Sequence, residues 1–326
     1  MTHPVLCLRP EADFTRVDAP APKSLAVSYH KPDDAALPQL IKQAGALVIP
    51  AVGPKLAPTL FEGANLRLVQ VTGAGLDRLD QAALTKLGIP VANVPGGSNS
   101  AVAEYTVASA SLLLRRLSWA NAEIAKGNYT GFRARMVADN LAGLEGLLVG
   151  VVGFGTIGVA VARAFHAAGA RLCFYDPAPR DSAAAAALGT AAMPLDELLA
   201  AADVVTLHVP LLPATQGLIG ARQLARMKPG AILIQAARGG IVDEAALATS
   251  LVSGHLGGAA VDVYSTEPPA PDNPLLKVSG EAAARLLLTP HIAGVTRQAS
   301  ALLFRSAWEN VERVLVRGEA PSNRAY

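Results

Sequence analysis

The sequence predicts an α/β protein of two lobes, in which helices cover parallel β-sheets. The stretch from Leu147 to Asp176 runs through an apolar strand, a glycine turn, a helix and a second strand without interruption. Elsewhere, short apolar runs alternate with helix-length segments, as expected for parallel strands joined by crossover helices. The chain has 326 residues, which is enough for two domains with separate cores.

The glycine turn has the spacing G-x-G-x-x-G, with glycines at 153, 155 and 158. Gly153 permits the tight turn, Gly155 lets the backbone approach a pyrophosphate, and Gly158 lets the helix pack close to the strand. The helix from Thr156 to about Ala168 then directs free N–H groups and its positive dipole end toward the phosphates. The alternative is a βαβ unit of the same shape that binds no nucleotide.

Asp176 ends the second strand of this unit, 18 residues past Gly158 (176 − 158), where an acid can accept both ribose hydroxyls of NAD. Its negative charge would repel the 2′-phosphate of NADP, so the sequence predicts NAD as the cofactor. Arg180 is near enough in sequence to leave NADP open as an alternative.

Composition excludes several classes of function. The chain is 51% hydrophobic and 17% charged, with a net charge of +2 and no block of Lys and Arg, so neither nucleic acid nor an anionic membrane is expected as a partner. Cys7 and Cys173 lie in apolar strand patterns and are expected to be buried free thiols in a reducing compartment. The N-terminal segment has no signal-peptide pattern, which favours a cytoplasmic location. No metal site is predicted.

The first lobe is predicted from five short apolar runs, at Val5–Leu8, Leu25–Tyr29, Ala46–Ile49, Leu68–Val71 and Val91–Val94. Crossover-length segments separate them, which predicts a small parallel sheet. The loop VTGAGLD, Val71 to Asp77, leaves one of these strands and can hold a carboxylate with successive N–H groups around its glycines. An ordinary glycine turn is the alternative.

A break at Pro95, Gly96 and Gly97 precedes a predicted long helix, Ser98 to about Lys126, capped by Asn99 or Ser100. Its apolar face is wider than one core contact requires, which suggests that part of it packs on another subunit. The second lobe continues with four more apolar runs, so that the predicted sheet has six strands. The last predicted helix runs from Thr296 to about Arg317.

Three polar residues each follow a late strand of the predicted second sheet: Arg238, Glu267 and His291. Because the carboxyl ends of strands face the ligand crevice of an open α/β sheet, these side chains can converge where a nicotinamide ring would lie. Considered singly, each has a simpler interpretation, as a surface cation, a loop carboxylate and a capping or core histidine.

Together with the glycine turn, the stretches ARGGIVDE (Ala237 to Glu244), DVYSTEPP (Asp262 to Pro269), TPHIAG (Thr289 to Gly294), VTGAGLD and SAVAEYTV resemble the D-isomer-specific 2-hydroxyacid dehydrogenases. Their order along the chain matches too, and the resemblance covers nearly the whole sequence. It implies a doubly wound Rossmann NAD-binding domain, residues 99–290, inserted into a smaller flavodoxin-like substrate-binding domain, residues 1–98 and 291–326. It also implies a homodimer formed through the NAD-binding domain.

The resemblance further implies the role of each catalytic residue. Arg238 would bind the substrate carboxylate and polarise its 2-oxo group, and the backbone N–H groups of Ala74 and Gly75 would hold the same carboxylate. His291 would be the acid/base, with Glu267 holding its imidazole in one tautomer and favouring its protonated form. Cofactor contacts are implied at Thr106, Gly153, Gly155, Thr156, Ile157, Gly158, Asp176, His208, Val209, Pro210, Ala236, Asp262, His291 and Gly294, with Asp262 near the carboxamide.

Departures from related families narrow the expected substrate. Formate dehydrogenases have glutamine in place of Glu267, and phosphite dehydrogenases carry a lysine in the loop that here reads VTGAGLD. Phosphoglycerate dehydrogenases often have an arginine in the loop that Ala51 and Val52 occupy here, although Arg9 and Lys55 could still approach a distal anionic group. A small 2-oxo acid such as glyoxylate or hydroxypyruvate is therefore expected.

Two alternatives stay open at this point. One is a phosphoglycerate dehydrogenase-like enzyme. The other is an NAD(H)-sensing interaction protein, like the transcriptional corepressors built on this fold, because a fold does not determine a function. The presence of Arg238, Glu267 and His291 as a set favours an enzyme.

Overall fold

A computed structural model describes residues 2–178, 180 and 182–326. The chain divides into a first unit, Met1–Ser98 with Val295–Tyr326, and a second unit, Asn99–Gly294. The second unit is thus inserted in the sequence of the first. No helix in the described residues is long and apolar enough to span a lipid bilayer.

The strands of both units are short and almost entirely apolar. They are β1 His3–Cys7, β2 Leu25–Tyr29, β3 Ala46–Ile49, β4 Leu68–Val71, β5 Val91–Ala92, β6 Leu148–Val152, β7 Arg171–Tyr175, β8 Val204–Leu207, β9 Ile232–Gln235, β10 Gly258–Val261 and β11 Leu286–Leu288.

Helices fill most of the connections between these strands. They are α1 Glu11–Thr15, α2 Leu37–Gln43, α3 Gln81–Lys86, α4 Asn99–Leu114, α5 Leu117–Ala125, α6 Tyr129–Ala138, α7 Thr156–Ala167, α8 Ser182–Ala187, α9 Leu195–Ala201, α10 Ala221–Arg226, α11 Glu244–Val252, α12 Gly280–Ala283 and α13 Arg297–Leu315. Single 3₁₀ turns lie at Pro58–Phe61 and Pro274–Lys277.

The first unit is built on a five-stranded parallel sheet in the order β2-β1-β3-β4-β5. Successive residues of its strands enter different cores: Leu47 packs in one apolar cluster, and Ala46 and Val48 pack in the other. Since both faces are covered, the strands are apolar throughout rather than alternating. Helix α13 joins the second cluster through Phe304 and Trp308, among other residues.

The second unit contains the six-stranded parallel sheet that the sequence predicts, in the order β11-β10-β9-β8-β6-β7. A single parallel bridge between Phe174 and Ala192 extends it beyond β7. Ile232 and Ile234 face one apolar cluster and Leu233 the other, so that this sheet too is covered on both sides. The strand order reverses between β6 and β8, which is where ligands bind in open sheets of this kind. The predicted α/β, doubly wound fold class is confirmed.

The long helix predicted from Ser98 to Lys126 is wrong in one respect: it is two helices, α4 and α5. Arg116 separates them in a left-handed conformation, with φ of 52°. The Arg116 guanidinium pairs with Asp139 and lies 5.6 Å from the centroid of the Trp119 ring. Trp119 itself is buried against Phe132, and this packing replaces a straight continuation of α4. Neither predicted cap is correct, since Asn99 is already the first residue of α4.

The last helix agrees closely with the sequence. The Thr296 hydroxyl caps its first turn by accepting a hydrogen bond from the Ala299 N–H at 3.1 Å. The predicted domain boundary lies before His291, whereas His291 to Gly294 group with the second unit rather than with α13. Hydrogen bonds from this segment to Asp262 account for the grouping.

Candidate active site

The candidate residues of the second unit follow the carboxyl ends of its strands. Gly153 follows β6, Asp176 follows β7 and His208 follows β8. The other positions follow the last three strands: Ala236 and Arg238 after β9, Asp262 and Glu267 after β10, and His291 and Gly294 after β11. Because the strands are parallel neighbours, these positions lie along one edge of the sheet.

The three glycines of the turn after β6 are required by different neighbours. At Gly153, φ is +96° and an added Cβ would lie 2.6 Å from the backbone of His208. At Gly158 an added Cβ would lie 1.9 Å from the Gly153 carbonyl oxygen, so the helix could not pack here with any side chain. At Gly155 an added Cβ would meet nothing within 4 Å, which leaves the space that a pyrophosphate needs.

Helix α7 begins at this turn, and its first N–H groups have no side-chain cap. Its N-cap residue, Gly155, offers no side chain, and within the described residues nothing accepts a hydrogen bond from the Thr156 or Ile157 N–H. Free N–H groups at a helix N-terminus attract anions. Together with the open space at Gly155, they fit the pyrophosphate of a dinucleotide.

Asp176 carries a buried, heavily hydrogen-bonded carboxylate. It accepts hydrogen bonds from the Phe154 N–H at 2.7 Å and the Ala178 N–H at 2.9 Å, and it pairs with Arg180 Nε at 2.6 Å. Burial acts to raise the pKa of Asp176, but the Arg180 bond and the two N–H groups outweigh it and lower the pKa below its usual value. An ionised carboxylate at this position fits the ribose hydroxyls of NAD.

His208 is neutral in the folded protein. Burial lowers its pKa to about 3, and its Nε2 lies 2.8 Å from the hydroxyl of Thr206. Its neighbours Val209 and Pro210 complete the segment after β8, with Val209 buried and Pro210 exposed. The segment after β8 therefore packs against the glycine turn without placing a charge there.

Thr106, a predicted cofactor contact, has no surface available for one. The residue is completely buried in α4, and its hydroxyl donates to the Val102 carbonyl of the same helix at 2.7 Å. The sequence pattern identified the helix but could not show which side of it faces the core.

Arg238 lies in a tight turn after β9 that is held by a buried amide. Gln235, which is 2% exposed, donates to the Arg238 carbonyl at 2.8 Å and accepts from the Ala237 N–H at 3.3 Å. Arg238 Nη1 donates to the Ala237 carbonyl at 2.7 Å. An added Cβ at Gly239 would lie 1.7 Å from the Tyr264 carbonyl oxygen, so the Arg238 turn packs directly on the loop that leads to Glu267.

The imidazole of His291 and the carboxylate of Glu267 form a hydrogen-bonded pair. His291 Nδ1 lies 2.8 Å from Glu267 Oε2, and both side chains are about one-quarter exposed, at 24% and 27%. Glu267 Oε1 accepts from the Tyr264 N–H at 3.1 Å, which fixes the carboxylate. With Nδ1 directed at a carboxylate, Nε2 is the imidazole atom left to exchange a proton with a ligand.

Asp262 lies beneath the loop that carries His291. Its carboxylate is 1% exposed and accepts from the Thr289 hydroxyl and from the N–H groups of Ile292 and Ala293. Its backbone carbonyl accepts from the His291 N–H at 2.8 Å. The resemblance places Asp262 near the cofactor carboxamide, whereas in the structure its carboxylate is bonded to the loop of His291.

In the first unit, the loop that contains Ala74 and Gly75 follows β4. Asn93 Nδ2 donates to the Ala74 carbonyl at 2.7 Å, and the Val94 N–H donates to the Gly73 carbonyl at 2.9 Å. Within the described residues, no group accepts a hydrogen bond from the Ala74 or Gly75 N–H. The loop thus has its carbonyls satisfied and two N–H groups free for an anion.

Sequence reasoning missed Gln235 and Asn93 as supporting residues. Both are amides at the end of an apolar strand. A polar residue at such a position must form hydrogen bonds with a turn or a ligand, and this pattern is the sequence signal that identifies them. Within the described residues, no group of three His, Cys, Asp or Glu side chains is arranged to hold a metal ion.

Comparisons with known proteins agree with this geometry. Residues 107–293 match the family described as D-isomer specific 2-hydroxyacid dehydrogenase, NAD binding domain. The D-3-phosphoglycerate dehydrogenase of Archaeoglobus fulgidus is 40% identical over 235 residues, which are 72% of this chain and 42% of that protein. The chain therefore spans less than half the length of that relative.

Two further proteins match over most of both chains. The glyoxylate reductase of Korarchaeum cryptofilum is 33% identical over 314 residues, 96% of this chain and 89% of that protein. The apo crystal structure of Rhodotorula graminis D-mandelate dehydrogenase superimposes with a TM-score of 0.84 at 25% identity, covering 100% of this chain and 98% of the other. The chain belongs to the D-isomer-specific 2-hydroxyacid dehydrogenase family, with an NAD-binding domain at residues 107–293.

Proposed function

We propose that the protein is an NAD-dependent oxidoreductase that interconverts a small 2-oxo acid, such as glyoxylate or hydroxypyruvate, and the matching D-2-hydroxy acid. The observation that carries the proposal is the His291–Glu267 pair, at 2.8 Å, in which the loop of Glu267 packs on the turn of Arg238. An acid/base, a carboxylate that orients it and a guanidinium are the groups that this reaction requires.

Arg238 binds the substrate carboxylate and polarises the 2-oxo group. Its planar guanidinium can donate two parallel hydrogen bonds to a carboxylate, which a lysine cannot do. In the first unit, the free N–H groups of Ala74 and Gly75 can also bind a carboxylate. Support for this role comes from the two bonds that satisfy the carbonyls of Gly73 and Ala74.

His291 supplies the proton. NADH, when bound, supplies the hydride that reduces the 2-oxo carbon. Nε2 of His291 donates a proton to the oxygen of that carbon as its negative charge develops, and it accepts a proton in the oxidative direction. Glu267 accepts a hydrogen bond from Nδ1–H, which holds the imidazole with Nε2 toward the substrate.

The cofactor is held by the sheet edge of the second unit. The N–H groups around Gly155, Thr156 and Ile157 bind the pyrophosphate, Gly153 and Gly158 shape the turn, and Asp176 accepts from the ribose. The residues nearer the nicotinamide end are Val209, Pro210, Ala236, Asp262 and Gly294. Thr106 is omitted because its hydroxyl is buried and bonded within its own helix.

Two observations favour a small substrate without a second anionic group. The loop after β3 presents Ala51 and Val52, which offer no charge to a phosphate. The guanidinium of Arg9 pairs with Asp13 at 3.0 Å and lies over the ring of Phe304. Its positive charge is therefore already paired within the protein. The glyoxylate reductase among the relatives agrees with this class. A 3-phosphorylated 2-oxo acid is the second candidate, since the Archaeoglobus relative is a D-3-phosphoglycerate dehydrogenase.

The test is NADH oxidation with glyoxylate, hydroxypyruvate, pyruvate and 3-phosphohydroxypyruvate, comparing kcat/KM. Replacing His291 with alanine should lower kcat/KM on the best substrate by about 10²- to 10⁴-fold. Arg238→Ala should also lower it, mainly through a higher KM. The matched controls are His166→Ala and Arg222→Ala, which lie at exposed positions away from the site and should retain wild-type rates.

Either catalytic variant with wild-type kcat/KM would refute the role assigned to that residue. NADH-dependent association without turnover of any acid would favour the sensor alternative instead. A preference for 3-phosphohydroxypyruvate would replace the small substrate with the phosphorylated one.

We also propose a homodimer that packs through α5 and α6. Leu117, Ile124, Tyr129 and Val137 on these helices are between 50% and 66% exposed, a concentration of large apolar side chains that favours burial by a second copy. Light scattering of the wild type should give twice the chain mass, and Ile124→Asp should shift it toward the monomer. A monomeric wild type would contradict the proposal.

A cytoplasmic location is proposed on the chemistry of the cysteines. Cys7 and Cys173 are free and buried, and burial raises their pKa values to about 12 and about 11, so both remain unreactive thiols. Such thiols suit a reducing compartment. Immunoblotting of fractionated cells tests the location, and recovery in an oxidising compartment would contradict it.

A further inference from the structure

The loop that carries His291 is fixed by a chain of hydrogen bonds that begins on helix α4. Tyr105 Oη lies 2.7 Å from Thr289 Oγ1, and Thr289 Oγ1 donates to Asp262 Oδ1 at 2.6 Å. The Asp262 carboxylate also accepts from the Ile292 and Ala293 N–H groups, each at 2.8 Å. These two N–H groups directly follow His291.

The direction of each bond in this chain follows from proton counting. The Thr289 hydroxyl has one proton and gives it to Asp262, so it must accept in its contact with Tyr105. Tyr105 is therefore the donor. Burial raises the pKa of the Tyr105 phenol, which keeps that proton in place at any working pH. The hydrogen bonds therefore have a single direction, in which Tyr105 donates to Thr289 and Thr289 donates to Asp262.

This series of hydrogen bonds holds an unusual backbone conformation at His291. His291 has φ of 55°, in the left-handed region that non-glycine residues enter only when their surroundings hold them there. The bonds to Asp262 lie on both sides of this residue: Thr289 precedes it, and Ile292 and Ala293 follow it. Loss of the Thr289 bond would leave the Asp262 carboxylate free to turn away from the two N–H groups.

We propose that Thr289 and Tyr105 are positioning residues for the reaction, which through Asp262 hold His291 in the backbone conformation that aims its imidazole at the substrate. This inference rests on the proposed function, because it assigns the two residues to the proton-transfer step. Their hydrogen bonds lead to Asp262 and through it to the Ile292 and Ala293 N–H groups, so they act on the placement of His291 rather than on substrate binding. A misplacement of about 1 Å can cost about 100-fold in rate.

The principal variant is Thr289→Val, which removes the hydroxyl at nearly constant shape. Its kcat should fall about 10- to 100-fold, while KM for the 2-oxo acid changes by less than about 3-fold. Thr289→Ser restores the hydroxyl and should return kcat to within about 3-fold of wild type. Tyr105→Phe, which removes only the outer bond, should lower kcat by about 3- to 10-fold.

The matched controls are the same Thr→Val and Tyr→Phe changes, made at hydroxyls that have no hydrogen-bond partner in the described residues. The hydroxyls of Thr190 and Tyr326 are buried, and neither has a hydrogen-bond partner in the described part of the chain. Thr190→Val and Tyr326→Phe should therefore keep wild-type kcat and KM. If Thr289→Val does not fold, as judged by circular dichroism, Tyr105→Phe with its control carries the test.

Amide hydrogen exchange provides a readout that needs no turnover. In the wild type, the N–H groups of Ile292 and Ala293 should be protected by their bonds to Asp262, and in Thr289→Val they should exchange about 10-fold faster or more. A wild-type protein that reduces no 2-oxo acid would refute the proposed function, and the exchange measurement would still decide whether Thr289 holds this loop.

Any of the following results would overturn the inference in an active enzyme. They are wild-type kcat in Thr289→Val, a loss that Thr289→Ser does not recover, and equal exchange rates in Thr289→Val and wild type. A rise in KM with unchanged kcat would also overturn it, because it would assign the residue to substrate binding.

Discussion

His291 Nδ1 and Glu267 Oε2 lie 2.8 Å apart, although the two residues belong to loops that follow different strands. The Tyr264 N–H holds the other oxygen of the carboxylate, so Glu267 cannot rotate freely. The pair is thus preorganised before any ligand binds. This relationship determines which nitrogen of the imidazole can act on a substrate, and the first prediction follows from it.

Glu267→Gln should lower kcat/KM by about 10²-fold or more. The amide keeps the size of the side chain but loses its charge, and it can present N–H₂ to Nδ1, which selects the wrong tautomer. The measurement is NADH oxidation with the best 2-oxo acid. Glu309→Gln, at an exposed position on α13, is the matched control. Activity within a factor of two of wild type would argue against the assigned role of Glu267.

Asp176→Asn should raise the ratio of kcat/KM for NADPH over NADH by about 10-fold or more. The change removes a negative charge that repels the 2′-phosphate, and it frees Arg180, now paired at 2.6 Å, to bind that phosphate. Initial rates with both cofactors measure the ratio. In Asp176→Asn with Arg180→Ala, most of the gain should disappear. An unchanged ratio in the single variant would show that Asp176 does not select the cofactor.

His208 should make the folded protein less stable in acid. Its pKa is lowered by burial to about 3, against roughly 6.5 in an unfolded chain. Between these values the unfolded state binds the extra proton, so stability is complete above about pH 6.5 and is lost as the pH falls. His208→Gln should flatten this dependence by up to about 1.4 kcal/mol per pH unit.

Urea unfolding at pH 7, 6, 5 and 4 measures the effect. The free energy of unfolding of wild type relative to His208→Gln should fall steadily across that series. His166→Gln, at an exposed position, should parallel the wild type. Parallel curves for His208→Gln and the wild type would mean that the imidazole is not desolvated as described.

Gln235→Leu should weaken substrate binding without disturbing the acid/base pair. The change leaves the Arg238 carbonyl and the Ala237 N–H unsatisfied in the turn of Arg238, which costs about 1–3 kcal/mol in stability. Because the turn carries the guanidinium, KM for the 2-oxo acid should rise about 10-fold, with a smaller change in kcat. Gln43→Leu, at an exposed position on α2, is the control. An unchanged KM would show that the turn holds Arg238 without this amide.

Much of the fold could be predicted because the strands and the glycine turn are encoded locally. Strands buried on both faces are continuous apolar runs, and each strand in the described residues coincides with or overlaps such a run. The break at Arg116 was not predictable in the same way. Arg116 has no unusual local preference, and its left-handed conformation depends on Trp119 and Asp139 across the neighbouring helices.

The same distinction applies to the candidate site, where locally encoded residues could be predicted and residues placed by packing could not. Arg238, Glu267 and His291 could be proposed from the sequence because each follows a strand, and the resemblance to a known family added the roles proposed for them. The buried positions of Thr106 and Gln235 could not be found, because the direction of a side chain depends on how its element packs.

The sequence by itself determined the fold class, the family, the dinucleotide turn and the residues able to carry the chemistry, because each of these depends on residue type and spacing along the chain. Tertiary structure alone decided that hydrogen bonds link Tyr105, Thr289 and Asp262 to the loop of His291, and that Arg180 pairs with Asp176. Hydrogen bonds act over about 3 Å in space, and parallel strands bring such partners together from distant parts of the sequence.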